Sequence, residues 1–249
     1  MGCFHIVRQC IFCHCEIDAK APPEHLIAKW VAREYPRAMF TTKHLDGRAV
    51  TSKFIEITVE TVCKACNHHW MSDLETWASP ILKPMLKGDT QGLSVEQQVT
   101  VSQWATKTAM TLDQTVPPGQ RVFSAGECKL LMERKLPPPG AGVQLGRYVG
   151  GGIFLDFGHN ELYRRAIPTG PRRNPPDGHR TAIRIDQLVV EVNMTSDAHL
   201  DLRIAQTDVR DLLLPIWPST QPVAWPPKIA MSDATWKSFV APDLPDARQ

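Results

Sequence analysis

Two Cys-x-x-Cys pairs constrain this chain more than any other feature of its sequence. Cys10 and Cys13 form the first pair, and Cys63 and Cys66 form the second. Each such turn directs two thiolates at one point, and two turns together complete a tetrahedral S4 zinc site. Because the pairs lie far apart in the sequence, the metal closes a long loop and adds folding free energy to a small module. We therefore predict one structural Zn²⁺ held by these four cysteines.

The remaining cysteines leave alternatives for this site. The chain has seven cysteines, an odd number, and its N-terminal residues lack a secretory signal, so we expect a cytoplasmic protein without a disulfide framework. Cys15 could replace Cys10 as the partner of Cys13, although Cys-x-Cys is the rarer zinc knuckle. Redox pairs would sit in a thioredoxin-like βαβ pattern, which the sequence lacks. We interpret Cys3 and Cys128 as buried thiols.

Composition excludes some classes of protein and leaves others open. The chain of 249 residues is 43% hydrophobic and 22% charged, as is usual for a globular protein. No apolar run approaches the roughly 18 residues that span a bilayer, so no membrane segment is expected. The formal net charge of +2 does not by itself indicate nucleic-acid binding, but basic residues could cluster.

Capping boxes predict where two helices begin. Ser72 with Glu75 predicts the first start, and Ser94 with Gln97 predicts the second. The buried stripe of the first helix is expected to consist of Leu74, Trp77, Ile81 and Met85.

Strand patterns appear on both sides of these helices. Asp46-Gly47 lies between two β-prone runs, which predicts a hairpin, and the segments GVQLGRYVGGGIFLDF and RTAIRIDQLVVEVNM predict further strands. The segment DVRDLLLPIWP is expected to form a late helix interrupted by Pro215. The fold class is therefore α+β, with a zinc module at residues 1–92 and an α+β domain of unknown role at residues 93–249.

An acid–histidine pair lies between the two knuckles, and an asparagine follows the second. The stretches CIFCHC, PEHLIAKWV and VCKACNHHWMSDLE contain these features in order. In this combination residues 8–85 resemble the HNH endonucleases of bacteria and phages, the zinc-stapled branch of the ββα-metal nucleases. The resemblance implies a treble-clef-like ββα module, followed by a helix and the mixed C-terminal domain.

The resemblance also implies roles for three residues. His25 matches the general base of the family, which deprotonates the attacking water. Asn67 matches a metal-ligand position, and Glu24 precedes the histidine where many members carry an acidic metal ligand. Their oxygen donors suit a catalytic Mg²⁺ or Mn²⁺. The middle asparagine of the pattern, which orients the histidine, has no counterpart, and Thr58 or a backbone carbonyl would replace it.

Structural interpretations of the same residues remain open. His25 could be satisfied by backbone at a helix start, and Asn67 could cap a helix or occupy a left-handed turn. His68 and His69 could bind the divalent ion or phosphate, although a surface role suits them as well. Several basic residues could either form a patch that contacts phosphate or lie scattered in solvent: Arg33, Arg37, Lys64, Lys83 and Lys87.

Two functions compete on this basis. The first is a hydrolase, a metal-dependent endonuclease acting on DNA phosphodiester bonds, in which His25 is the general base and residues 93–249 contact substrate or a protein partner. The alternative is a non-catalytic zinc-binding module that binds DNA or protein and has a degenerate HNH site. The presence of Glu24, His25 and Asn67 together favours the enzyme, whereas the missing middle asparagine favours the alternative.

Overall fold

The computed structural model describes residues 8–18, 21, 23–36, 38–43, 49–53, 57–150, 155–162, 178–195 and 211–240. Helices and strands are both present in these ranges, which confirms the α+β class. The chain divides into two compact units: the first is Met1–Lys83 with Thr106–Leu136, and the second is Pro84–Ala105 with Pro137–Gln249. The units interleave along the sequence, whereas a single boundary after residue 92 was expected.

The first unit contains short strands and the helices that follow the knuckles. In chain order its elements are β1 (Glu24–His25), α1 (Lys29–Arg33), β2 (Phe40–Lys43), β3 (Ala49–Ser52), β4 (Thr58–Val59), α2 (Lys64–Cys66), a π-helical turn (Asn67–Met71), α3 (Ser72–Leu86) and, after the second unit's first stretch, α5 (Ala125–Arg134). The last three residues of α3 belong to the second unit. Strand β1 pairs with β4, and β2 pairs with β3, both antiparallel. The β2–β3 pairing is the predicted hairpin, and its Asp46-Gly47 turn lies outside the described residues.

The helix after the second knuckle begins earlier than the capping box predicts. Cys63 has an extended backbone conformation and caps α2, because its Sγ accepts a hydrogen bond from the Cys66 N–H at 3.4 Å. From there the chain stays helical through the π-helical turn into α3, and Ser72 has helical dihedral angles. The prediction of a helix start at Ser72 is therefore wrong. The Glu75 side chain contacts Trp30 and Lys107 instead of capping a helix start.

The second unit is built on a five-stranded antiparallel sheet. Its strand order is β10 (Leu213–Trp217), β6 (Ala141–Arg147), β9 (Leu188–Thr195), β8 (Gly178–Ile185) and β7 (Leu155–Leu162). A smaller ribbon pairs β5 (Gln91–Leu93) with β11 (Val223–Trp225), and α6 (Asp233–Val240) contributes Trp236 and Phe239 to the core of this unit.

Helix α4 (Val95–Leu112) begins where its capping box predicts. The Ser94 N–H donates to Gln97 Oε1 at 2.9 Å, and the Gln97 N–H donates to Ser94 Oγ at 3.3 Å. This reciprocal pair satisfies two backbone donors that a helix start leaves open. No helix in the described ranges is long and apolar enough to cross a bilayer.

The predicted late helix is a strand. Residues Leu213–Trp217 form β10, which pairs with β6 at the edge of the sheet. Pro215 lacks the N–H that a helix interior requires, and an edge strand tolerates it because one side of the strand needs no ladder partner. The pairing register shifts between Pro215 and Trp217, as in a β-bulge.

One face of the large sheet carries buried charge. Arg180 on β8 lies with its Nη1 3.6 Å from Oε1 of Glu191 on β9, and both side chains are almost fully buried. The Gln144 amide on β6 donates to Glu191 Oε2 at 3.2 Å, and Arg180 donates to the carbonyl oxygen of Phe239. Burial raises the pKa of Glu191 to about 7, against the attraction of Arg180.

Candidate metal centre and polar site

The four predicted cysteines converge in the first unit. The Sγ atoms of Cys10, Cys13, Cys63 and Cys66 all lie within 4.8 Å of one another, and those of Cys13 and Cys63 are 3.5 Å apart. Zinc–sulfur bonds of about 2.3 Å in a tetrahedron separate the sulfurs by about 3.8 Å. The spacing thus suits one metal ion. Cys15, the alternative partner, is exposed and does not belong to this group.

Backbone hydrogen bonds shape the two knuckles and join them. In the first, the His14 N–H donates to the Cys10 carbonyl at 2.9 Å, and a β-bridge between Gln9 and Glu16 closes the turn. The Ile11 N–H donates to the carbonyl of Thr61, just before the second knuckle, at 2.9 Å. The sulfurs are therefore brought together by local turns and by hydrogen bonding between the two knuckles.

Hydrogen bonds and burial shift the pKa values of three of these thiols. A hydrogen bond from the Cys66 thiol lowers the pKa of Cys10 to about 4, and the same bond raises the pKa of Cys66. Burial raises the pKa of Cys13 to about 12. Because zinc binds thiolates, its binding displaces the protons that the thiols carry. Zinc affinity should therefore fall as the pH falls.

Residues that follow α4 in the sequence contact the metal centre and the aromatic residues near it. The sulfur of Met132, on α5, lies 3.9 Å from Cys66 Sγ. The Trp70 ring meets Phe12 edge-on at 5.0 Å between centroids, and the Lys135 ammonium lies 4.6 Å from its centroid. Residues 106–136 thus belong with the zinc module, although the sequence interpretation placed them in the second domain.

Two of the three predicted active-site residues are in contact. Glu24 lies on β1, and Asn67 lies where α2 passes into the π-helical turn. The Asn67 side chain hydrogen-bonds to Glu24. A carboxylate and an amide oxygen are donors that Mg²⁺ and Mn²⁺ accept, so this pair fits the divalent ion that the resemblance implies. A π-helical turn of this kind is often found at functional sites.

His25 has a defined place beside this pair. It follows Glu24 on β1 and lies directly opposite Thr58 on β4. Side chains that face each other across an antiparallel ribbon are close neighbours on one face. The pairing register therefore puts Thr58, one of the two substitutes expected for the missing asparagine, opposite His25. His68 and His69 are exposed on the helix that carries Asn67.

A buried ion pair lies next to Glu24, and the sequence interpretation missed it. Lys107 Nζ on α4 donates to Glu75 Oε1 on α3 at 2.5 Å, and the Trp30 indole on α1 donates to Glu75 Oε2 at 2.7 Å. The Lys107 side chain is 3% exposed and the Glu75 side chain 17%. The only sequence pattern that included Glu75 was the Ser72 capping box. No sequence pattern singled out Lys107.

The charges of this pair act on Glu24. Burial raises the pKa of the Glu24 carboxyl, and the nearby Glu75 carboxylate raises it further. Lys107 and the hydrogen bond from Asn67 oppose this rise. Glu24 therefore lies in a half-buried polar site whose electrostatic balance depends on residues from α3 and α4.

At least one of the basic residues considered for a phosphate-facing patch is paired with a carboxylate. Lys83 Nζ lies 2.9 Å from Glu34 Oε1, so its charge is paired. Arg33 and Lys64 are exposed, and so is Lys87 in the second unit. Arg37 lies outside the described residues. The phosphate-facing patch stays a prediction.

Comparison with family models, with curated proteins and with solved structures finds no significant match. The likeness to HNH endonucleases therefore depends on the residues and on their arrangement in this chain.

Proposed function

We propose that this chain is a metal-dependent endonuclease of the HNH type that hydrolyses DNA phosphodiester bonds. The observation that carries the proposal is the contact between Glu24 and Asn67 beside a four-cysteine group. Glu24 precedes His25 on β1, which pairs with β4, and Asn67 lies on the helix that follows β4. This is the order strand, strand, helix in which the family's residues occur.

The chain's own residues would divide the chemistry between them. His25 accepts a proton from the attacking water, because a neutral imidazole titrates close to physiological pH. Thr58, opposite on β4, orients the His25 ring. The water oxygen bonds to phosphorus, the bond to the leaving sugar oxygen breaks, and that oxygen takes a proton from solvent.

Glu24 and Asn67 would hold the divalent ion through their side-chain oxygens. A bound Mg²⁺ or Mn²⁺ supplies Lewis-acid stabilisation of the negative charge on the phosphate and leaving oxygen. The four cysteines would hold Zn²⁺ away from the reaction and keep β4 and α2 in place. The zinc is thus a structural element in this proposal.

Plasmid nicking with Mg²⁺, Mn²⁺ or EDTA tests the proposal. The His25→Ala variant should keep its zinc and its melting behaviour but lose about 10²-fold or more in nicking rate, the usual contribution of a general base. The matched control is Lys129→Ala, which removes an exposed side chain on α5 that has no role in the proposed chemistry. It should nick at nearly the wild-type rate.

The Asn67→Ala variant separates metal binding from proton transfer. It removes an oxygen ligand without touching the proton acceptor, so it should respond more weakly to Mg²⁺ or Mn²⁺. Raising the metal concentration should partly restore this variant and leave His25→Ala inactive. Wild-type nicking rates in purified His25→Ala protein would remove His25 from the mechanism.

A second candidate is a zinc-dependent module that binds DNA or protein without cleaving it. One observation favours it: the family's middle asparagine has no counterpart in this chain, and Thr58, one of its two possible substitutes, is exposed. Wild-type protein that binds DNA only when loaded with zinc, and that does not nick with any divalent metal, would establish this alternative.

A further inference from the structure

Exposure separates one sulfur of the four-cysteine group from the other three. Cys10, Cys63 and Cys66 are buried, and the Cys66 sulfur also contacts the Met132 sulfur at 3.9 Å. Cys13 is partly exposed and lies at the end of the turn in the first knuckle. A small oxidant dissolved in water therefore reaches the Cys13 sulfur more easily than it reaches the other three.

Metal binding makes this exposed sulfur a nucleophile. Zinc binds cysteine as the thiolate, and the thiolate is the form that reacts with peroxides. Susceptibility to oxidation follows thiolate character together with access to solvent. The neighbouring Cys15 is exposed but lies outside the four-cysteine group, so the metal does not hold it as a thiolate. The two conditions for oxidation therefore coincide at Cys13.

A partner for an oxidised Cys13 is already close. The Cys13 sulfur lies 3.5 Å from the sulfur of Cys63 in the second knuckle. A disulfide bond is about 2.05 Å long, so the two sulfurs need to approach each other by only about 1.5 Å. The two residues are 50 positions apart in the sequence, and a disulfide between them closes the same loop that the metal closes. The oxidised chain therefore keeps its knuckles joined after the zinc has left.

We propose that Cys13 is a site of reversible oxidation by hydrogen peroxide, which links it to Cys63 and releases the zinc. The Cys13 thiolate attacks one oxygen of the peroxide, the O–O bond breaks, and Cys13 becomes a sulfenic acid as hydroxide leaves. The Cys63 thiolate then attacks the Cys13 sulfur, the S–O bond breaks, and a second hydroxide leaves. Two electrons pass from the sulfurs to the peroxide, and each hydroxide takes a proton from the buffer to give water.

The loss of two thiolates removes the metal centre. Only Cys10 and Cys66 of the four ligands are left, whereas a structural zinc site needs four. The cap of α2 is affected as well, because the Cys63 sulfur accepts the Cys66 N–H at 3.4 Å, and this helix leads to Asn67. The proposal rests on the structural zinc of the proposed function and not on DNA cleavage, so zinc release is its direct measure.

Zinc release from the full zinc-loaded chain provides the test, with hydrogen peroxide as the oxidant and a coloured chelator as the reporter. Peroxide should release one zinc per chain, and peptide mapping should find a disulfide between Cys13 and Cys63. Dithiothreitol followed by Zn²⁺ should restore the zinc content. Dimedone present from the start of the reaction should label the sulfenic acid on Cys13.

Two variants locate the reactive sulfur. Cys13→His replaces the exposed thiolate by an imidazole, which is also a zinc ligand, so this variant should keep one zinc and release it at least about tenfold more slowly. The matched control is Cys15→Ala, which removes the exposed cysteine outside the four-cysteine group and should release zinc at nearly the wild-type rate. If Cys13→His does not bind zinc, the dimedone label on the wild-type chain still identifies the reactive cysteine.

The outcomes distinguish this inference from the proposed function. Zinc that stays bound while Cys15 is oxidised would overturn the inference and leave the zinc site in place. Dimedone on another sulfur of the four-cysteine group, or a disulfide from Cys13 to a cysteine other than Cys63, would overturn it as well. Zinc release through the Cys13–Cys63 disulfide in a chain that never nicks DNA would support the inference and count against the nuclease. A wild-type chain that binds no zinc would overturn both the inference and the structural zinc.

Discussion

Replacing Cys63 by alanine should unfold the first unit. Cys63 is buried, its sulfur lies 3.5 Å from that of Cys13, and it also caps α2 by accepting the Cys66 N–H. The substitution removes one of four thiolates and the cap of the helix that carries Asn67. Both losses act on the same turn.

The expected loss of stability is as large as the whole stability of an ordinary domain. Apparent zinc binding in four-ligand sites contributes about 10–16 kcal/mol near neutral pH. A whole domain is stable by only about 5–15 kcal/mol, and loss of a cap costs about 1 kcal/mol more. A chain that cannot hold its zinc therefore has no stable first unit.

Zinc content, circular dichroism and urea unfolding measure this effect together. The matched control is Cys15→Ala, because Cys15 is exposed, lies in the same knuckle segment and is outside the sulfur group. The control should retain one zinc and unfold like the wild type. A Cys63→Ala protein that keeps one zinc and a cooperative urea transition would refute the reasoning.

Three further predictions concern electrostatics. Glu75→Ala should lower the free energy of unfolding in urea by about 3–5 kcal/mol, because it leaves the Lys107 ammonium buried without its partner. The control is Glu133→Ala, at the exposed Lys129–Glu133 pair, which should lower it by less than about 0.5 kcal/mol. Burial raises the pKa of Glu191 to about 7, so the folded chain holds a proton that the unfolded chain releases above about pH 4.5. The free energy of unfolding should therefore fall by roughly 3 kcal/mol as the pH rises from 4.5 to 7. That fall should be absent in Glu191→Gln, and an identical pH dependence in both proteins would contradict the assignment. DNA affinity, measured by fluorescence anisotropy, should decrease as salt rises through counterion release, and a flat salt dependence would indicate another kind of partner.

Local chemistry predicts the parts of this fold that local contacts determine. The α4 start at Ser94 is an example, because donor and acceptor lie three residues apart and no distant group competes for them. The Ser72 box has the same sequence form but fails. There the helix has already begun at Cys63, and Glu75 binds Trp30 and Lys107 instead.

Apolar periodicity has a similar limit. Leu74, Ile81 and Met85 are buried on α3 as predicted, but Trp77 is 61% exposed. The buried stripe passes through Ala78 instead, a residue too small to have been selected by its hydrophobicity. Trp77 lies at the edge of that stripe, where a shift of the buried face by one residue decides whether a side chain is in the core or in solvent.

The candidate site divides in the same way. The cysteines, Glu24 and Asn67 could be selected because their spacing or order carries chemical meaning, and the fold brings the sulfurs together. Lys107 could not, because its partner Glu75 is 32 positions away in the sequence and meets it only when α3 and α4 pack together. A lysine in a helix is ordinarily a solvated residue.

What the sequence did contain was an exception to that rule. Lys107 lies between Thr106 and Thr108 in a stretch of α4 whose residues 101–112 are all buried. A helix with no exposed face cannot place an ammonium in water, so a lysine within it must meet a carboxylate inside the protein. Recognising that residues 101–112 of α4 are buried on all sides would have required a partner for Lys107, and acidic residues of the neighbouring segments would then have become candidates. The buried ion pair can be inferred from sequence only when the burial of this stretch is predicted first.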